Sequence, residues 1–367
     1  MGKRMRAREM GIKIGVMETG RLNAITDVEG VGVGHSTIIR GEGPLKVGEG
    51  PIRAGVTAIV PHQGNPYYEK VTAAVDVFNA YGKSTGLPQV MHMGVLETPI
   101  LLTDTLNTWK VADALIDYMY EGYNVQAGSI NPVIGETNGG FLNDSVGRHV
   151  GRPQVFEALN RARSSEGRGS VEEGCVGGGT PMAGFGFKGG IGTASRKTDY
   201  FTLGALVQLN CGARQDLRID GVPVGKMLSE PRPRGVEAGN SIMMIVATDL
   251  GLTSRQLWKV AKRAILGVAR VGHYGGVGSG DFTIAFTTGK RSVEEMVKGL
   301  SPSGEGIRLT QNENYLGSVF RATVEATEEA VLNALFMAET MVGRDGNTRE
   351  GIPIDRVKEI MEKYSRL

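Results

Sequence analysis

Cysteine is nearly missing from this chain: Cys175 and Cys211 are the two in 367 residues. That is too few for a disulfide framework or a four-cysteine zinc site, and a reducing cytoplasm is the expected setting. Aromatic residues make up 6% of the sequence and are not interleaved with basic ones, so no stacking platform for nucleic acid is expected. Lys and Arg number 41 against 39 Asp and Glu, a net charge of +2, which gives no field of one sign to draw nucleic acid or an anionic membrane. No run approaches the ~18 apolar residues of a membrane span, and the basic first ten residues lead into no signal core. Position 6 is Arg6, where a myristoylation signal needs Ser or Thr.

Glycine, by contrast, is abundant. The chain has 55 glycines, roughly twice the usual ~7% share. They follow no triplet period, which excludes collagen. They lie within and at the ends of hydrophobic stretches, where backbones approach closely or φ is positive. With 40% hydrophobic and 22% charged residues the chain is an ordinary globular one, long enough for one large α/β domain or two smaller ones. No internal repeat at solenoid periods is present.

Short Gly- and Val-rich strands are expected around residues 31–35 and 55–60. A helix is expected from about Thr103 or Asp104, with Leu106, Trp109, Ala112, Leu115, Ile116 and Met119 at helical spacing. Val133-Ile134 reads as the end of a buried strand, and residues 160–170 as an exposed polar loop or short helical excursion. Residues 199–210 become continuously apolar, as a central strand does. Residues 214–239 carry three prolines and no periodicity, the pattern of a linker or long surface loop. A buried strand is expected over 241–248, then a helix capped by Thr253 or Ser254, then a strand through Phe282, Ile284 and Phe286. Two helices, near 323–341 and 355–364, close the chain. Interleaved strands and helices indicate α/β or α+β layers.

Most familiar motifs fail. Gly82-Lys83-Ser84 ends like a phosphate-binding loop, but the first glycine that motif requires would be Val77. Residues 174–179 lack the glycine spacing of a dinucleotide loop and read as a structural turn. The five histidines, His35, His62, His92, His149 and His273, include no pair at the i, i+4 spacing of a helical zinc site, and each reads as structural or surface. Cys175 has no activating neighbour in sequence and reads as inert.

The sharpest feature is the change of character at Gly239-Asn240-Ser241, where a long non-periodic segment ends and a buried strand begins with a serine. Two readings stand. Ser241 is a polar residue opening a strand, or it is an N-terminal nucleophile. Cleavage of the Asn240–Ser241 bond gives Ser241 a free α-amine. Such an amine, with a pKa of about 7.7–8.0, can accept the proton of its own hydroxyl.

Six segments, in order, resemble the self-processing aminopeptidase family of L-aminopeptidase D-amidase/D-esterase and the β-peptidyl aminopeptidases. They are residues 23–31, Gly135-Glu136-Thr137-Asn138, residues 174–180, residues 206–210, Asn240-Ser241 with Val246-Ala247-Thr248-Asp249, and Ser279-Gly280-Asp281. The resemblance implies a single α/β (α+β) domain over 1–367, folded as a four-layer αββα sandwich like that of N-terminal nucleophile hydrolases. It implies processing into 1–240 and 241–367 at Asn240–Ser241. Ser241 would be the nucleophile, Ser279 and Asp281 its supporting pair, and Asn210 the oxyanion donor. Glu136 would hold the substrate's free amino group, with Asn138 a second substrate-binding position. Two departures are visible. The family's usual Glu is Asp281, one methylene shorter, and Asn138 stands where some relatives carry Tyr.

The expected activity is release of N-terminal residues from short peptides, amides or esters, without metal or cofactor, by a cytoplasmic homotetramer with no nucleic-acid or membrane partner. Two alternatives remain at this point: an acyltransferase using the same self-made nucleophile, and an uncut, non-catalytic binding protein of the same fold.

Overall fold

The computed structural model describes residues 3–228, 241–291, 293, 296 and 313–367. Two sheets build the molecule. The first has four strands in the order β1 (Gly32–Arg40), β2 (Ile52–Val60), β5 (Ile100–Asp104) and β6 (Val133–Thr137). The second has six, in the order β4 (Val95–Leu96), β3 (Val71–Ala80), β12 (Gly280–Arg291), β11 (Ser241–Leu250), β10 (Thr202–Asn210) and β9 (Gly190–Lys197). Two small hairpins, β7 (Ala183–Gly184) with β8 (Phe187–Lys188) and β13 (Met341–Val342) with β14 (Thr348–Arg349), complete the strands. The helices are α1 (Leu87–Met93), α2 (Thr108–Glu121), α3 (Arg152–Arg163), α4 (Val224–Leu228), α5 (Ser254–Val271), α6 (Leu316–Phe336) and α7 (Ile354–Lys363).

Alternation along β11 shows how the layers stack. Met243, Ile245 and Ala247 enter a core between the two sheets with Ile59, Ile100, Leu102 and Val133 of the first sheet. Ile242, Met244 and Val246 point the other way, against α5 and α6 through Val260, Ala264, Ala326 and Ala330. A strand covered on both faces must be apolar at every position, which explains its unbroken hydrophobic run. On the far side of the first sheet, α2 and α3 bury Val111, Leu115, Val155 and Leu159 against Ala54, Val56 and Ala58. The result is the αββα sandwich.

Helix α5 follows its sequence cues. Thr253 caps it by accepting from the Gln256 N–H, while Gln256 Oε1 accepts from the Thr253 N–H at 3.0 Å. Other expectations need correction. The helix expected from Thr103 begins at Thr108, because Thr103 and Asp104 end β5. The Asp104 carboxylate accepts from Gly139 N–H, Asn143 and Ser145 instead of capping a helix. Trp109, expected on the apolar stripe, is 58% exposed. The helix expected over 323–341 runs from Leu316 to Phe336. Enclosed on nearly all sides, it carries no clean stripe to mark its ends. Of the linker expected over 214–239, residues 214–228 form a 3-10 turn and α4, and 229–239 lie outside the described residues.

Candidate active site

The ends of β10, β11, β12 and β6 converge at one edge of the sandwich. Ser241 is the first residue of β11 and sits opposite Asn210, the last of β10, in the antiparallel register. On its other side β11 runs parallel to β12, with Ile242 beside Asp281. Ser241 Oγ accepts a hydrogen bond from the Gly280 N–H at 3.1 Å. Asn240 lies outside the described residues.

Asn210 is buried and fixed in orientation. Its Oδ1 accepts from the Ala183 N–H at 2.9 Å, and its Nδ2 donates to the Asn138 carbonyl at 3.0 Å. An amide nitrogen carries two hydrogens, and the second takes no partner among the described residues. Asn138 thus reaches this group through its backbone. Its side chain is exposed and accepts from the Gly140 N–H at 2.9 Å.

Ser279 and Asp281 flank Gly280, both fully buried. The Ser279 hydroxyl donates to Asp281 Oδ1 at 2.6 Å, which leaves the serine oxygen's lone pairs free to accept. The missing methylene therefore does not prevent the Ser279 contact. The Ser279 carbonyl is tied to β3 through the Tyr81 N–H at 3.2 Å and the Asn79 side chain.

Glu136, near the end of β6, is 2% exposed. Its carboxylate accepts from the Lys83 N–H and the Thr105 hydroxyl. Burial pushes its pKa above the ordinary carboxylate value, against those two hydrogen bonds. Glu136 and Ser241 are linked through two glycines. A Cβ on Gly82 would lie 2.9 Å from Glu136 Oε1 and 2.6 Å from the Phe282 ring. A Cβ on Gly280 would lie 2.9 Å from Gly82 Cα and 3.3 Å from Ser241 Oγ. Only backbone fits there.

The site therefore gathers Ser241, Asn210, Ser279, Asp281 and Glu136, with the side chain of Asn138 turned elsewhere. It also holds residues that the sequence did not single out. Gly82 and Lys83, set aside as a failed phosphate loop, form its floor beside Glu136, and Thr105 holds the same carboxylate. A cavity of about 490 Å³ lined by Glu18, Lys197, Tyr200 and Ser318 lies at the β9–β10 turn, the opposite end of β10 from Asn210.

The sequence pattern of peptidase family S58 matches residues 23–349. The chain belongs to that family. A β-peptidyl aminopeptidase of Sphingosinicella microcystinivorans is 38% identical over 99% of this chain and 93% of its own length. A protein of Pyrococcus horikoshii shares 47% identity and a TM-score of 0.88, with 99% of this chain and 100% of that one covered. The L-aminopeptidase D-Ala-esterase/amidase of Ochrobactrum anthropi, described as a prototype of the serine aminopeptidases and a variant of the Ntn hydrolase fold, shares 37% identity and a TM-score of 0.84, with 99% of both chains covered. This S58 chain is a serine-type hydrolase that cuts itself to expose its nucleophile.

Proposed function

We propose that this S58 chain removes the N-terminal residue from short peptides, amides or esters, with Ser241 as nucleophile. The observation that carries the reading is the placement of Ser241. It opens a rigid buried strand, with its hydroxyl on the Gly280 N–H, Asn210 opposite, and a buried carboxylate across Gly82.

Self-processing begins when the Ser241 hydroxyl attacks the Asn240 carbonyl. The peptide C–N bond breaks as the ester C–O bond forms, and the nitrogen takes a proton to become the Ser241 amine. Water then hydrolyses the ester, leaving pieces 1–240 and 241–367. In peptide turnover the free amine takes the hydroxyl proton as Ser241 attacks the substrate. Ser279, whose own proton is committed to Asp281, accepts from the amine or hydroxyl and holds it in line. The second Nδ2 hydrogen of Asn210 donates to the developing oxyanion.

Glu136 pairs with the substrate's ammonium. Its present partners are both neutral donors, so the carboxylate keeps a charge to offer. An ammonium entering this site gains a charge-assisted bond that an acylated amine lacks. Asn138 contributes its carbonyl by holding Asn210.

The S58 family resemblance supports a homotetramer of processed protomers, which sedimentation of the purified protein tests. Two free cysteines support work in the cytoplasm. Among the described residues no helix is long and apolar enough to cross a membrane.

The direct test compares aminoacyl anilides bearing free and acetylated amines. The free forms are cleaved and the acetylated forms are not. Equal cleavage of both would remove Glu136 from its role.

A further inference from the structure

His273 has no part in the mechanism so far, yet its imidazole lies against the supporting acid. Its Nε2 stands 3.3 Å from Asp281 Oδ2, and both side chains are buried, at 4% and 0% exposure. Asp281 Oδ1 is already taken by the Ser279 hydroxyl. The carboxylate is thus held at both ends: a serine on the side of the nucleophile, an imidazole on the side of the helices.

We propose that His273 is a positioning residue of the hydrolytic site, holding the second oxygen of Asp281 so that the first stays on Ser279. The inference rests on the assignment of Ser279 and Asp281 as the support of Ser241.

The local chain fold places His273 for this task. Helix α5 ends at Gly272 with φ +113, a left-handed turn that favours glycine. A Cβ there would fall 2.0 Å from the Asp216 carbonyl, so the turn is closed to any side chain. His273 follows immediately and donates its N–H to the Val268 carbonyl at 3.3 Å. The imidazole therefore stands at the negative end of an 18-residue helix, which favours its protonated form.

The titratable groups facing it are Asp281 on β12, Cys211 just beyond β10, and Tyr274 stacked at 6.4 Å between ring centroids. Arg270, the nearest charged side chain before it on α5, is engaged with Glu328 at 2.8 Å. Burial works against a charged imidazole, but Cys211 and Asp281 outweigh it and hold His273 up at about 10. Burial pushes the Cys211 thiol up as well.

A carboxylate held at one oxygen alone is free to turn about its Cβ–Cγ bond, whose torsional well is broad, and to carry Oδ1 off the Ser279 hydroxyl. The second hold on Oδ2 opposes that turn.

The test uses the full-length processed enzyme and its His273→Phe and His273→Gln variants. Gln keeps an N–H donor near the Nε2 position without the charge. Chain cleavage and wild-type turnover are measured in parallel, so that failure of the Ser241 assignment is seen separately as an uncut or inactive wild type. In an active, cut wild-type background, His273→Phe should lower kcat about 10- to 100-fold with KM within about twofold, and His273→Gln should recover most of the loss.

Imidazole NMR of the intact enzyme keeps the test open if His273→Phe fails to fold. One of the five histidines should show an Nε2 proton shifted downfield by a carboxylate acceptor, and that shift should vanish once Asp281 is changed to Asn. An unchanged kcat in His273→Phe, a Gln variant as impaired as Phe, or a His273 Nε2 proton that does not respond to Asp281→Asn would each overturn the proposal.

Discussion

Two groups of buried acids in this molecule are held in opposite ways. Beneath α6, Arg196 reaches Glu325 at 3.2 Å and Glu329 at 2.8 Å, and Arg8 adds a contact to Glu329 at 3.0 Å. Arg196 also donates to the Ile14 carbonyl at 2.8 Å, so the network ties the N-terminal segment to β9 and α6. Charge there meets charge within the chain. At the site, Glu136 is equally buried but is held by a backbone N–H and a hydroxyl. The first arrangement is complete and structural. The second has no ion pair among the described residues, a place that the proposed function gives to the substrate's ammonium.

The largest effect that sharpens this contrast is at the nucleophile. Ser241→Ala should abolish turnover and leave one uncut chain, while the fold and the Arg196 network stay intact by circular dichroism and melting. A Ser241→Ala protein that still splits at this bond would show that another group does the cutting.

Paired substitutions then test the two acid groups against each other. Arg196→Met should cost about 3–5 kcal/mol of stability, because it strands two buried carboxylates. Its kcat per folded molecule should hold. Glu136→Gln should do the reverse: kcat/KM toward free-amino substrates falls about 100-fold, while the melting temperature holds or rises. The sign follows from the raised pKa of Glu136. Folding favours its protonated form, so its contribution to stability is present at low pH and is lost as pH rises through the folded value. For the same reason the acid limb of kcat/KM should lie above the ordinary carboxylate range and disappear in Glu136→Gln. A destabilised Glu136→Gln protein with normal activity would erase the contrast.

Asn210→Ala should lower kcat with little change in KM, by the roughly 3–4 kcal/mol known for removal of an oxyanion donor. A change confined to KM would place Asn210 in ground-state binding.

A pH effect of comparable size comes from the scaffold. His35 is buried, with Nδ1 bonded to Thr57 at 2.9 Å, and burial pushes it down to about 4. A lowered value contributes stability above the unfolded pKa of about 6.5, and that stability is lost as pH falls toward 4, at a cost of up to about 3 kcal/mol. The difference in unfolding free energy between wild type and His35→Gln should shrink by that amount between pH 7 and 4. A constant difference would mean that His35 is not held neutral.

The sequence made some of this site visible for physical reasons. Ser241 stood out because a strand buried on both faces produces an unbroken apolar run, and a serine at its first position marks the edge. Ser279, Asp281, Asn210 and Glu136 were found only through family resemblance, since a serine, an acid or an amide at a strand end has many structural uses. Gly82 and Lys83 were invisible as site residues. Their place depends on β3 pairing with β12, some 200 residues away, which no local spacing encodes. His273 was hidden in a similar way, because its partner Asp281 is near in sequence but reached across the irregular stretch 274–279 rather than along a helix. Trp109 misled in the opposite direction: it fits the periodicity of α2 yet faces solvent.

The most direct test of the central claim is the intact mass of the freshly purified protein under denaturing conditions. Two species, one ending at Asn240 and one beginning at Ser241, are predicted. A single full-length mass from enzyme that cleaves free-amino substrates would contradict Ser241 as an N-terminal nucleophile.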